Sequence, residues 1–380
     1  MMPLFNLRHQ QALIARQQQG LYRQLQCHDV NSKILNFASN DYLGLAQEPK
    51  IITAWQQGLA KYGAGSTASP LVTGFQPPHV DLEQQLTEWL GYQRALLFNS
   101  GFSANQAVLF TLLQAQDQLF QDKLNHASLI EAGMLSPAKM KRFAHNDIAA
   151  LQRQLSKIKE GLDTASLVVT EGVFSMDGDC APLTSLREIT TQHQTWLMVD
   201  DAHGCGVLGD EGQGSCHQAG IKADILIITF GKAFGIQGAA VLCSQDTAEY
   251  LVQFARHYIY STAMPPAQAA ALSQACTLIQ TQSWRREKLQ ALSESLNHYL
   301  DNSQGLIPTI TPIKPMIIGD SCQTMAIAAQ LQQRGIKVGA IRPPTVAPHS
   351  ARLRITLTAN HNESDIRQLA LAMNEVIDAG

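Results

Sequence analysis

The sequence predicts an α/β protein: a mostly parallel central sheet with helices on both faces, followed by a smaller C-terminal α+β domain. Three observations carry this. The runs 95–98, 167–170, 196–199, 225–229 and 239–243 are continuously apolar or β-branched rather than alternating, as strands buried on both faces are. Helical stretches, such as 102–114 and 183–192, separate several of them, the βα alternation of a doubly wound sheet. After Pro265-Pro266 the pattern changes, with a long polar helical stretch at 284–300 and then strand, helix, strand and helix at 315–318, 325–334, 351–357 and 363–377.

The elements before the sheet are sparse. Leu4, Leu7, Leu13 and Leu21 suit an ordinary amphipathic helix, and 34–38 reads as a short strand. The expected division is an N-terminal segment over 1–44, a large α/β domain over 45–285 and the small domain over 286–380. At 380 residues the chain is long enough to bury a sizeable core in such an arrangement.

Composition excludes several classes of function. Hydrophobic residues make up 45%, too many for a disordered chain. A formal charge of −3 supplies no field for gripping nucleic acid or an anionic membrane. No apolar run approaches the ~18 residues that span a bilayer. Arg8 and Arg16 superficially suit a presequence, but no Ser precedes Ser32. Seven cysteines without a CxxC pair fit reduced thiols in the cytoplasm, not a disulfide framework or a zinc site, so no metal is expected.

The chemistry concentrates where strands end. Trp196-Leu197-Met198-Val199-Asp200 closes on a carboxylate, with His203 three residues on. Alone, that is a common strand-end turn. A buried Asp beside a pyridine nitrogen would favour the protonated ring, which withdraws electrons from a carbanion. Thr229-Phe230-Gly231-Lys232 places a lysine at another apolar strand end, where a lowered pKa makes an amine nucleophilic. Alone, this is a lysine leaving a Gly-rich turn. Together, an aspartate for the pyridinium and a lysine for the Schiff base are the protein contributions that pyridoxal phosphate (PLP) requires. Upstream, Asn99-Ser100-Gly101-Phe102 follows a strand and opens a helix, whose free N–H groups can hold a phosphate.

Five stretches extend the pattern: Asn40-Asp41-Tyr42-Leu43-Gly44-Leu45, Asn125-His126-Ala127-Ser128, Thr170-Glu171-Gly172-Val173-Phe174-Ser175-Met176-Asp177-Gly178, Val199-Asp200-Asp201-Ala202-His203-Gly204 and Thr229-Phe230-Gly231-Lys232. With them the chain, from about Leu7 to its end, resembles the PLP-dependent α-oxoamine synthases of the type I aminotransferase fold. Gln253-Phe254-Ala255-Arg256-His257, Tyr260-Ser261-Thr262 and Ala340-Ile341-Arg342-Pro343-Pro344-Thr345-Val346 are similar to the branch that condenses L-alanine with a pimeloyl thioester in biotin biosynthesis.

The resemblance implies roles. Lys232 would carry PLP and move protons at the substrate α-carbon; Asp200 would pair with the ring nitrogen. His126 would cover the ring face, and His203 and Ser175 would reach the cofactor from its edge and far side. Gly101, Phe102 and Thr229 would contribute to the phosphate and cofactor pocket. Arg23, Thr345 and Arg354 match substrate-binding positions, Arg354 as the grip on the amino-acid carboxylate. Arg352 is expected on the opposite face of its strand. The active unit would be a homodimer, with the glycine-rich segment 63–74 as a cross-subunit contributor, and the acyl carrier an acyl carrier protein or coenzyme A.

Two positions depart from the family. Pro70 stands where many relatives have Arg, and Cys205 where Thr or Ser is usual. Rival readings are a sister acyltransferase using glycine with acetyl or succinyl thioesters, a same-fold aminotransferase, and a non-enzymatic partner subunit.

Overall fold

The computed structural model describes residues 3–378 apart from 20, 26, 30–31, 159–163 and 301–304. It comprises two compact units divided between Ile34 and Leu35. The first contains the helix Leu4–Gln18, on which Leu4, Phe5 and Leu13 are exposed.

The second unit carries eleven strands in the described residues. They are β1 (Leu35–Phe37), β2 (Arg94–Phe98), β3 (Gln118–Asp122), β4 (Lys139–Phe143), β5 (Ser166–Glu171), β6 (Trp196–Asp200), β7 (Ile225–Thr229), β8 (Ala239–Cys243), β9 (Ile313–Gly319), β10 (Ile336–Ile341) and β11 (Ala351–Thr356). Seven form the large sheet in the order β2-β8-β7-β6-β5-β3-β4. β4, β3, β5, β6 and β7 pair in parallel, while β8 runs antiparallel between β7 and β2.

The continuous apolar runs follow from burial on both sides. Along β6, Leu197 and Val199 pack into one core cluster and Met198 into the other. Along β7, Leu226 and Ile228 face the first and Ile225 and Ile227 the second. Successive side chains point to opposite faces, so a strand covered on both must be apolar throughout.

Two strands of this sheet escape that rule and have no apolar run in the sequence. β4, Lys139–Phe143, lies at the edge with only Phe143 buried. β3 carries Gln121 and Asp122, both fully buried, and Gln121 satisfies its amide on the Leu129 carbonyl at 2.8 Å.

The small sheet has the order β1-β10-β11-β9. β1 pairs in parallel with β10, so residues 35–37 belong to a sheet otherwise built from the end of the chain. β10 also lies outside the expected strands; its partly buried alternation and Gly339 give it no continuous apolar run.

Candidate active site

The site forms where the strands of the large sheet reach their carboxyl ends. Asp200 ends β6, Glu171 ends β5 and Thr229 ends β7. The chain then turns sharply between β7 and β8. Phe230 N–H donates to the Gly238 carbonyl and Ile236 N–H to that of Phe230, so Lys232 projects from a closed loop. Gly235 in this loop has φ +71°, and a Cβ there would collide with the backbone of Ala46.

Two helix N-termini complete the enclosure. Ser100 Oγ caps the helix Gly101–Leu112 by accepting from Ser103 N–H at 3.1 Å. His126 Nδ1 caps Ala127–Leu135 by accepting from Ser128 N–H at 3.2 Å. These elements surround a cavity of about 520 Å³, lined by Lys232, Asp200, His126, His203, Gly101, Phe102 and Thr229 among others. A larger hollow of about 1180 Å³ at the opposite strand ends, beside Asp117, Ser166 and Trp196, gathers none of the candidate residues.

Asp200 is the centre of a hydrogen-bond network. Its Oδ2 accepts from Asn105 Nδ2 at 2.7 Å and its Oδ1 from Ala202 N–H at 3.1 Å. Asn105 Nδ2 also donates to Ser128 Oγ at 2.9 Å, and Ser128 Oγ lies 2.8 Å from His126 Nδ1. Burial raises the Asp200 carboxyl above its ordinary range, with the Asn105 hydrogen bond acting against it. The neighbouring Asp201 turns away, taking hydrogen bonds from the Ser215 backbone and hydroxyl. Gly214 leaves room for that carboxylate, since a Cβ there would collide with Asp201 Oδ2.

Lys232 Nζ makes no hydrogen bond or ion pair among the described residues. Burial lowers its pKa, reinforced by the Arg354 guanidinium, while Asp200 and Glu171 pull the other way. His203 Nδ1 lies 2.5 Å from the Tyr42 hydroxyl. Burial, with Lys232 and Arg354 nearby, pushes His203 well below the usual histidine range, so its imidazole is neutral. Burial likewise raises Tyr42 to about 12.

Behind this wall Arg354 Nε donates to the Ser175 carbonyl at 2.6 Å, Nη1 to Asn40 Oδ1 and Thr356 Oγ1, both at 3.1 Å, and Nη2 to the Tyr42 hydroxyl at 3.4 Å. Arg352 pairs with Asp177 and reaches the Met176 carbonyl. Both arginines thus leave β11 toward the same turn, which corrects the expectation of opposite faces: residues two apart in a strand share a face. The turn is held from its other side by His145, whose Nε2 lies 2.8 Å from Asp179 Oδ2 and whose Nδ1 lies 3.0 Å from Asp122 Oδ1.

Within the second unit, Ser175 and Thr345 are not among the residues lining the cavity. Ser175 contributes its carbonyl to Arg354, Thr345 sits on an exposed turn, and Arg23 is exposed in the first unit. Cys205 is buried in the core, and Pro70 opens the short turn Pro70–Gly74. Sequence reasoning assigns no role to Asn105, Ser128, Tyr42 or Glu171. Asn105 carries no local signal, because Ser103 and Gln106 beside it are polar as well.

A family model described as aminotransferase class I and II matches residues 32–373. The chain is 61% identical to the 8-amino-7-oxononanoate synthase of Photobacterium profundum, covering 98% of each chain. Among solved structures, a serine palmitoyltransferase from S. paucimobilis with bound PLP–myriocin superposes with a TM-score of 0.92 at 25% identity, covering 100% of this chain and 99% of that one. The 8-amino-7-oxononanoate synthase of Francisella tularensis gives 0.78 at 32% identity, covering 91% and 98%. The fold is that of a PLP-dependent transferase of type I fold. Within that class, the chain belongs to the 8-amino-7-oxononanoate synthase family of acyltransferases.

The cavity fits the cofactor. Its lining includes a buried carboxylate, a lysine amine unpaired among the described residues and an unpartnered Thr229 Oγ1, with the Thr229 side chain against Gly101 at the helix start. A Cβ added at Gly231 would meet nothing within 4 Å, so the backbone before Lys232 borders open space.

Proposed function

We propose that the chain joins L-alanine to a pimeloyl thioester, carried on acyl carrier protein or coenzyme A, giving 8-amino-7-oxononanoate, carbon dioxide and the free carrier. The supporting observation is the convergence of Lys232, a buried Asp200 and His126 on one cavity, with Lys232 unpaired and Arg354 without a carboxylate partner among the described residues. The choice of product follows the relatives, among them the Photobacterium enzyme at 61% identity.

PLP, when bound, supplies an electron sink for a carbanion at the substrate α-carbon. Lys232 would hold it as a Schiff base, Asp200 would face its ring nitrogen, and Gly101, Phe102 and Thr229 would take its phosphate. Arg354 would bind the alanine carboxylate through Nη2, whose one hydrogen bond among the described residues is the long 3.4 Å contact to the Tyr42 hydroxyl. Lys232, once released as a neutral amine, takes the proton from the alanine α-carbon. The α-carbon then bonds to the acyl carbon as the C–S bond breaks, and the carboxylate leaves as carbon dioxide. Lys232 returns a proton to the α-carbon. Neutral His203, fixed by Tyr42, can donate or accept at the cofactor's edge without adding charge.

The reading includes a homodimer acting in the cytoplasm, with 63–74 reaching the neighbouring site. No described helix is long and apolar enough to cross a membrane.

Purified protein mixed with PLP, alanine and each pimeloyl thioester is expected to yield a product of the mass of 8-amino-7-oxononanoate. Its kcat/KM should exceed that for glycine with an acetyl thioester by roughly two orders of magnitude, or ~2.7 kcal/mol. Comparable efficiencies would move the chain to the sister acyltransferases.

A further inference from the structure

Glu171 lines the same cavity, and nothing in the reaction above uses it. It ends β5 directly opposite Asp200 on β6, in register. The residue is 3% exposed, and its Oε1 has no hydrogen-bond partner among the described residues. A buried polar atom left unpaired beside an open cavity calls for a ligand atom.

Two carboxyl groups side by side in a buried site do not both ionise readily. The charged and titratable groups around Glu171 are Asp200 on β6, Asp122 at the end of β3, His126 at the start of its helix and Lys232 in the β7–β8 loop. Side-chain and backbone hydrogen bonds from Asn105 and Ala202 stabilise a negative charge on Asp200, while at Glu171 the backbone N–H groups of His126 and Ser175 act the same way but are outweighed by burial and by Asp200. Burial and the adjacent Asp200 push Glu171 well above the carboxylate range. The charge therefore settles on Asp200 and the proton on Glu171. A protonated carboxyl is a hydrogen-bond donor, whereas an ionised one only accepts.

We propose that Glu171 is a neutral carboxylic acid whose O–H donates a hydrogen bond to the cofactor bound in this cavity. The proposal rests on reading the cavity as the cofactor site. It assigns opposite protonation states to two facing carboxyl groups: Asp200 ionised toward the ring nitrogen, Glu171 neutral toward an acceptor on the cofactor.

Glu171→Gln preserves shape, neutrality and a donor; Glu171→Ala removes the donor. PLP affinity of the cofactor-free proteins, read by absorbance, is expected to stay within about threefold of the parent for Gln and to weaken about tenfold for Ala. Infrared spectra of the cofactor-free parent at neutral pH should contain a protonated-carboxyl stretch that Glu171→Gln removes. Absence of that band, an equal loss of affinity in both variants, or parent-like affinity in Ala would each overturn the proposal. If Ala does not fold by circular dichroism, the Gln affinity and the infrared band still decide. Borohydride labelling of Lys232 tests the location of the cofactor separately, and the infrared band reads Glu171 whatever that outcome.

Discussion

Arg352 and Arg354 leave the same face of β11 for the same turn, yet only Arg352 ends on a carboxylate, that of Asp177. Arg354 is as deeply buried and meets a carbonyl, an amide oxygen and two hydroxyls. A buried guanidinium among neutral acceptors keeps its charge available for an incoming anion. Arg354→Ala is expected to raise the KM for alanine about a hundredfold, the worth of one charge-assisted hydrogen bond, with a smaller change in kcat. Arg352→Ala should lower thermal stability while leaving that KM nearly unchanged. Equal KM effects from the two substitutions would remove the distinction.

Lys232 should be the residue that borohydride fixes to PLP, as read by peptide mass. Lys232→Ala is expected to bind PLP without the visible band of a lysine-bound cofactor and to lose turnover by roughly a thousandfold or more. Labelling at another lysine would reassign the site.

Asp200→Asn should fold, since an amide can occupy the same space beside Asn105 and Ala202. It cannot hold a pyridinium as a carboxylate does. Loss of ~3 kcal/mol of carbanion stabilisation predicts a fall in kcat of more than about a hundredfold. Near-normal turnover would mean that the ring nitrogen has another partner.

His145, which does not line the cavity, offers a pH test. Burial works against its charge, but Asp122 and Asp179 outweigh it and raise its pKa to about 10. A histidine whose folded pKa is raised stabilises fully below its unfolded pKa of ~6.5, and the stabilisation is lost as pH rises toward the folded value. His145→Gln is therefore expected to cost about 1 kcal/mol in urea unfolding at pH 6 and progressively less up to pH ~10, the partial exposure of the bridge keeping the figure small. A cost independent of pH would show that the bridge is uncharged.

Much of this arrangement was legible from strand ends. Asp200 and Lys232 stand out because each terminates an uninterrupted apolar run, where a charged side chain has no packing reason to be. β3 and β4 were not legible, because Gln121 and Asp122 are buried through hydrogen bonds and Lys139, Lys141 and Arg142 lie at an exposed sheet edge. The Tyr42–His203 contact joins residues 161 positions apart, and no local pattern encodes such a distance. What no letter shows is the task of the adjacent Asp201, whose carboxylate is taken up by the Ser215 backbone and hydroxyl.

The pairing of β1 with β10 has a consequence for how the chain is made. Leu35 to Phe37 emerge from the ribosome early, and their partner Ile336–Val338 emerges about 300 residues later. At typical synthesis rates of about 5–20 residues per second, that first strand waits roughly 15–60 s with its edge unpaired and Phe37 uncovered. The interval is long compared with the ~1–10 μs in which a hairpin closes. The earliest strand to leave the ribosome is thus among the last to find its place, and a nascent chain stalled anywhere before β10 holds a sticky apolar edge near its start.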